Sequence, residues 1–140
     1  MIKNFNVKKV FQGRLFKGEE IISGLNKFLK ENSIKAGLVN GIGAVTRVKI
    51  GYYDQSEKKY ISHDFNEPME ILSLKGNISL KDGEAFPHIH IVLSKKDFSC
   101  IGGHLYEAEV FAFEFEIIEF EGNYFERGFD EETGLFLWKS

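Results

Sequence analysis

Histidines are the residues whose type and spacing best fit a chemical role. His88 and His90 stand two positions apart, and His104 follows directly after Gly102-Gly103. Because successive side chains of a strand alternate between its faces, His88 and His90 are predicted to project from the same face. Three imidazoles around one ion, with a position left open, make a catalytic-type zinc site. The hypothesis is that His88, His90 and His104 bind a divalent transition metal, with zinc favoured over copper, nickel or iron.

The same spacing also suits histidines that bind nothing. They would then be ordinary polar residues on the outer sheet face, or hydrogen-bonded groups at a subunit contact. Spacing alone leaves the two interpretations nearly balanced, because a metal site requires residues 100–104 to pair beside the strand that carries His88 and His90. His63 lies outside the cluster and is expected at the surface. Ligation needs neutral imidazole, so metal binding should weaken as the pH falls through about 6.5.

Other groups are weaker candidates. Glu114 or Glu116 would serve as an orienting partner of a histidine or as a general base, but a solvated strand face is favoured for both. Cys100 is more readily a small buried apolar residue than a further ligand. The run 41–44, Gly-Ile-Gly-Ala, lacks the third glycine and the following helix of a nucleotide-binding loop, so a turn or bulge is predicted there.

Strand patterns occupy most of the chain, with one helix near the start. The helix is predicted to open at residues 17–20, with two glutamates in its first turn, and to stop at a left-handed Asn32. Its apolar stripe is Ile21, Ile22, Leu25, Phe28 and Leu29. Strands are predicted at 5–16, 36–42, 45–53, 59–64, 70–80, 87–94 and 110–120, the last with Phe111, Phe113, Phe115 and Ile117 on one face. The tail, 124–138, is predicted to form a packed hairpin or strand.

These elements indicate one α+β domain spanning residues 1–140, a largely antiparallel sheet with the helix covering one face. Phenylalanine provides 14 of the 20 aromatic residues, which favours a thick core. A single cysteine and the lack of a long apolar run favour the cytoplasm over a secreted or membrane location. The net charge of −3 argues against tight DNA binding, for which a basic surplus is usual.

Several motifs together resemble the PPC domain, the "plants and prokaryotes conserved" family. They follow its order: residues 41–44 (GIGA), 51–54 (GYYD), 70–78 (EILSLKGNI), 87–90 (PHIH) and 102–105 (GGHL). Residues 13–14 and 18–21 also look like the opening of that family. The resemblance therefore covers nearly the whole chain.

The resemblance implies a sheet of about seven strands flanked by one helix, assembled as a homotrimer. It also implies that His88, His90 and His104 match histidine positions that hold a metal such as zinc in prokaryotic members. Plant members bind DNA through an Arg-Gly-Arg-Pro AT-hook, which this chain lacks. A trimeric protein with a metal or small-ligand site is therefore favoured, with weak or absent DNA binding. A DNA-associated protein and a metal-dependent enzyme of unknown substrate are the alternatives.

Overall fold

Paired strands account for most of the computed structural model, which describes residues 1–139. Its eight strands form a single sheet, largely antiparallel. The elements are β1 (Asn6–Leu15), α1 (Ile21–Glu31), β2 (Gly37–Asp54), β3 (Lys59–Phe65), β4 (Met69–Lys81), β5 (Glu84–Ser94), β6 (Cys100–Glu121), β7 (Glu126–Asp130) and β8 (Leu135–Lys139). The predicted α+β class, with one main helix and a single domain, is confirmed.

Helix α1 begins after Glu20, whose carboxylate accepts hydrogen bonds from the main-chain N–H groups of Ile22 and Ser23. Glu20 therefore caps the helix, and the prediction of glutamates in the first turn is wrong. The prediction of a left-handed Asn32 is also wrong, because its φ is −101° and Ser33 adopts the positive φ instead. The side-chain amide of Asn32 donates to a main-chain carbonyl of the last turn, which satisfies an otherwise unpaired group.

The predicted apolar stripe of α1 packs into the core. Ile21, Leu25 and Leu29 are almost wholly buried, and Ile22 and Phe28 are partly buried against them. The helix contacts β5 and β6. Alternate residues of β5, including Ile89 and Ile91, face the same core. The opposite face of β5, which carries His88 and His90, therefore points away from the helix.

Strand β2 is one long strand where two were predicted. The pairing register shifts between Gly41 and Gly43, so this segment is a bulge that bends β2 without ending it. Gly43 has a φ of +152°, and a β-carbon there would collide with the main-chain oxygen of Ala112. Because β2 pairs with both β4 and β6, while β5 joins those two strands, the pairings close into a ring around the core.

The long strand β6 changes face at a register irregularity opposite Ala44 and Val45 of β2. Phe113, Phe115 and Ile117 are buried as predicted, whereas Phe111 is 55% exposed. The prediction that Phe111 shares their face is wrong, because an irregularity in the ladder shifts the alternation of side chains.

The tail folds back on itself as the β7–β8 hairpin, so the predicted packed tail is confirmed. Strand β7 also pairs in parallel with β4, where Arg127 lies opposite Lys81. This contact brings Arg127 onto the sheet that carries the histidines. Within residues 1–139, α1 lacks the length and apolar character that a membrane-spanning helix needs.

Candidate metal centre

The three predicted histidines converge on neighbouring strands. His90 on β5 is the direct cross-strand partner of His104 on β6, and His88 lies two residues before His90 on the same face. The pairing of residues 100–104 beside β5, on which the metal hypothesis depended, is present. Gly103 is needed here, since a β-carbon at this position would lie 2.5 Å from the main-chain oxygen of Gly51 on β2. Glycine thus allows β6 to run closely between its neighbours.

The imidazole rings are close enough to share one ion. One ligand nitrogen from each of His88, His90 and His104 lies within 4.8 Å of the other two. The ring centroids of His88 and His90 are 5.0 Å apart, and those of His88 and His104 are 5.2 Å apart. Two nitrogens bound tetrahedrally to zinc at about 2.1 Å lie roughly 3.4 Å apart. The nitrogens, at most 4.8 Å apart, therefore exceed that spacing by no more than about 1.4 Å.

Burial keeps two of the three imidazoles neutral. Desolvation lowers the pKa of His88 from 6.5 to about 4, assisted by the positive charge of Arg127. Desolvation likewise lowers the pKa of His104 to about 4, assisted by His90 and Arg127. The Nδ1 atom of His104 is buried and has no hydrogen-bond partner among the described residues. Neutral imidazoles with a buried, unpaired nitrogen fit the requirements of a metal ligand set.

The metal-free protein is expected to lose stability as the pH falls from about 6.5 towards 4. Over this range the histidines of the unfolded chain bind protons, whereas folded His88 and His104, with pKa values near 4, stay neutral. Urea unfolding at pH 7 and pH 5, with chelator present, measures the decrease in the free energy of unfolding. His88→Gln should reduce the decrease, and His63→Gln, at an exposed site, should leave it unchanged. A pH-independent free energy would contradict the depressed pKa values.

Tyrosines border the cluster on the side of His104. The rings of Tyr60 on β3 and Tyr106 on β6 have centroids 5.1 and 5.0 Å from that of His104. Burial raises the pKa of both phenols, so both remain protonated and able to donate a hydrogen bond at neutral pH. Tyr53 packs against Tyr60 and donates a hydrogen bond to the main-chain oxygen of Thr133. The histidine cluster therefore has an aromatic border with hydroxyl donors.

Arg127 borders the cluster on the side of His88. Its guanidinium donates to the side-chain oxygens of Ser79 at 2.9 Å and Asn77 at 2.7 Å, and to the main-chain oxygen of Phe136 at 3.0 Å. Asn77 is the cross-strand partner of His88. The tail hairpin thus places a cation on the His88 side of the cluster.

The carboxylates suggested as partners of the histidines lie elsewhere. The ladder runs from His90 through Lys75 and Asn40 to Glu116, three strand spacings, or about 14 Å along the sheet. Glu114 lies one step further along β6 on the same face. The structure therefore does not bring either glutamate to the imidazoles, because two other strands intervene on this side of the ring.

Two further predictions concern single residues. His63 is exposed, as predicted, and lies outside the cluster. Cys100 is exposed, so its assignment as a buried apolar residue is wrong. It begins β6, four residues before His104, and the group of residues within 1–139 that could hold a metal does not include it.

Sequence reasoning missed Arg127, Tyr60 and Tyr106. The period of two along β6 places Tyr106 on the face of His104, so that residue was within reach of a pattern argument. Tyr60 and Arg127 carry no such signal. They reach the site through the pairing of β3 with β2 and of β7 with β4, contacts between segments far apart in the chain.

The sequence belongs to a known protein family. The sequence matches the Plants and Prokaryotes Conserved (PCC) domain over residues 2–123. The chain belongs to this family, the one also abbreviated PPC, and the resemblance of the motifs is confirmed.

Solved structures show the same fold along the full chain. A metal-containing protein from Archaeoglobus fulgidus is 46% identical with a TM-score of 0.96, and the match covers 100% of this chain and 99% of that one. A plant- and prokaryote-conserved protein from Pyrococcus horikoshii is 36% identical with a TM-score of 0.94, covering 100% and 98%. A candidate DNA-binding protein from Bacteroides thetaiotaomicron is 31% identical with a TM-score of 0.88, covering 96% of each chain.

A similar segment also occurs within a larger protein. The bifunctional protein GlmU of a Synechococcus strain is 29% identical over 98 residues. That match takes up 69% of this chain and 14% of the length of GlmU. The likeness therefore concerns one segment of that protein.

Proposed function

We propose that this chain is a metal-binding PCC-domain protein in which His88, His90 and His104 hold one divalent transition metal, with zinc favoured. The convergence of three ligand nitrogens within 4.8 Å carries the proposal. The buried, unpaired Nδ1 of His104 supports it, since such an atom is costly unless it is bound. Three protein ligands leave a coordination position for water or a small ligand. The metal-containing relative from Archaeoglobus fulgidus is consistent with this function.

Metal content measured by mass spectrometry tests the proposal. Wild-type protein exposed to zinc and desalted is expected to retain one ion per chain, and His90→Ala to retain far less. His90 is exposed and points away from the core, so the variant should keep its fold. His63→Ala is the matched control, because it removes an exposed histidine outside the cluster, and it should bind metal like the wild type. Equal retention by wild type and His90→Ala would make the histidines structural only.

We also propose that the protein is a homotrimer, as the family resemblance implies. A groove of about 860 Å³ lies on the outer sheet face, flanked by the exposed side chains of Ile42 and Leu72. The groove carries charges of both signs, from Arg14, Lys75 and Glu114 among others. Apolar residues mixed with opposite charges suit a contact between copies of one chain. Light scattering at micromolar concentration should give three times the chain mass of 16.1 kDa, and a monomer would refute the trimer.

A further inference from the structure

Arg127 is a buried cation without an acidic partner among the described residues. Only 8% of its surface is exposed. Its hydrogen bonds go to a hydroxyl, an amide oxygen and a main-chain carbonyl, all of them neutral. Its guanidinium also lies 5.5 Å from the ring of Phe86 and 5.8 Å from that of Trp138. A buried charge is costly when no opposite charge compensates it, so this arrangement calls for a reason.

The cross-strand pairs show that this cation adjoins the metal centre. On β4 and β5, Ser79 pairs with Phe86, and Asn77 pairs with His88, on one face of the sheet. Arg127 contacts three members of this four-residue patch, and His88 is the fourth. Neighbouring positions of such a patch lie about 4.5–8 Å apart. The guanidinium is therefore beside the imidazole of His88.

A second arginine shows what an ordinary ion pair looks like in this protein. Arg47 lies 2.8 Å from a carboxylate oxygen of Glu107 and 3.4 Å from one of Asp64. Arg127, beside the histidines, has no such carboxylate partner among the described residues. Besides Arg127, Lys75 lies directly across the strand pair from His90. In a chain whose net charge is −3, a local excess of positive charge is selective for an anion.

We infer that the open side of the metal centre binds a small molecule through a carboxylate or phosphate group, held between the metal and Arg127. The inference rests on the proposed function and specifies the ligand of that site. Three of the five N–H donors of the guanidinium are used, and two remain for oxygen acceptors. The phenols of Tyr60 and Tyr106 border the opposite side and donate to the same ligand. An oxyanion offsets part of the positive charge of both the metal and the arginine, which a neutral ligand cannot do.

Cobalt-loaded wild-type protein provides the direct test, since its visible spectrum reports changes in coordination. We would titrate it with acetate, with inorganic phosphate and with acetamide, the neutral isostere of acetate. Acetate or phosphate is expected to change the spectrum at concentrations at least tenfold lower than acetamide. The stronger of the two anions identifies the group. Equal responses to acetate and acetamide, with phosphate silent, would overturn the inference while leaving the metal site intact.

Variants then assign the selectivity to Arg127. Arg127→Met should keep one metal per chain and weaken anion binding at least tenfold, since a charge-assisted hydrogen bond is lost. Arg127→Lys retains the positive charge and should weaken anion binding less. It also tests the role of Arg127 if the methionine variant does not fold. Arg47→Met is the control and should bind the anion like wild type. Unchanged anion affinity in the folded Arg127 variants would overturn the assignment to Arg127. Displacement of acetate by a stoichiometric DNA duplex would overturn the inference that the ligand is a small molecule. If the wild-type protein does not retain a metal ion after loading and desalting, the proposed function is refuted as well.

Discussion

Adding zinc to the metal-free protein is expected to raise its melting temperature by about 8 to 11 °C when free zinc exceeds the dissociation constant a hundredfold. At that ratio, binding to the folded state alone contributes about 2.7 kcal/mol. For a chain of 140 residues, each kcal/mol moves the melting temperature by roughly 3 to 4 °C. Differential scanning calorimetry with and without zinc measures the shift, and a chelator should reverse it.

Two variants show whether this stabilisation comes from the histidine cluster. His104→Ala removes the proposed ligand whose Nδ1 is buried and has no partner among the described residues, so the shift should disappear. His63→Ala, at an exposed histidine, should keep the full shift. A shift that survives in His104→Ala would show that zinc stabilises the protein at another place.

Gly43→Ala is expected to destabilise the fold by about 3 kcal/mol. The positive φ of Gly43 is unfavourable for a residue with a β-carbon, at a cost of about 1–3 kcal/mol. The added methyl would also collide with the main chain at Ala112, which cannot rotate away as a side chain can. Because Gly43 pairs with β4 on one side and β6 on the other, the strain reaches both ladders. Urea unfolding of the variant and the wild type gives the difference.

Gly13→Ala is the matched control for that substitution. Gly13 lies in β1, which also pairs with β6. The nearest atom to a β-carbon added there would belong to the side-chain ring of Phe115, at 3.2 Å. A side chain can move by a few tenths of an ångström, so a cost well below that of Gly43→Ala is expected. Equal losses would mean that the bulge of β2 tolerates a side chain.

The positions of the elements were largely predictable from local patterns. The stripe from Ile21 to Leu29 has the period of a helix, and the alternation around Ile89 and His90 has the period of a strand. Both periods follow from backbone geometry within a few residues, so no knowledge of the rest of the fold is needed. The same alternation correctly placed His88 and His90 on the face opposite the core. It was wrong at Phe111, where a ladder irregularity shifts the face, because such a shift depends on the partner strand.

The sequence by itself determined the α+β class, the family and the pair of histidines on one face of β5. Only the tertiary structure decided which groups surround them. His104 joins through the pairing of β5 with β6, and Arg127 arrives on a hairpin that pairs with β4, 48 residues from the Ser79 hydroxyl that it contacts. The bend in β2 and the closed ring of strands leave Glu114 and Glu116 far from the imidazoles. Local periodicity reports the face of a side chain, whereas its neighbours across the sheet depend on register and strand order, which are set by packing of the whole chain.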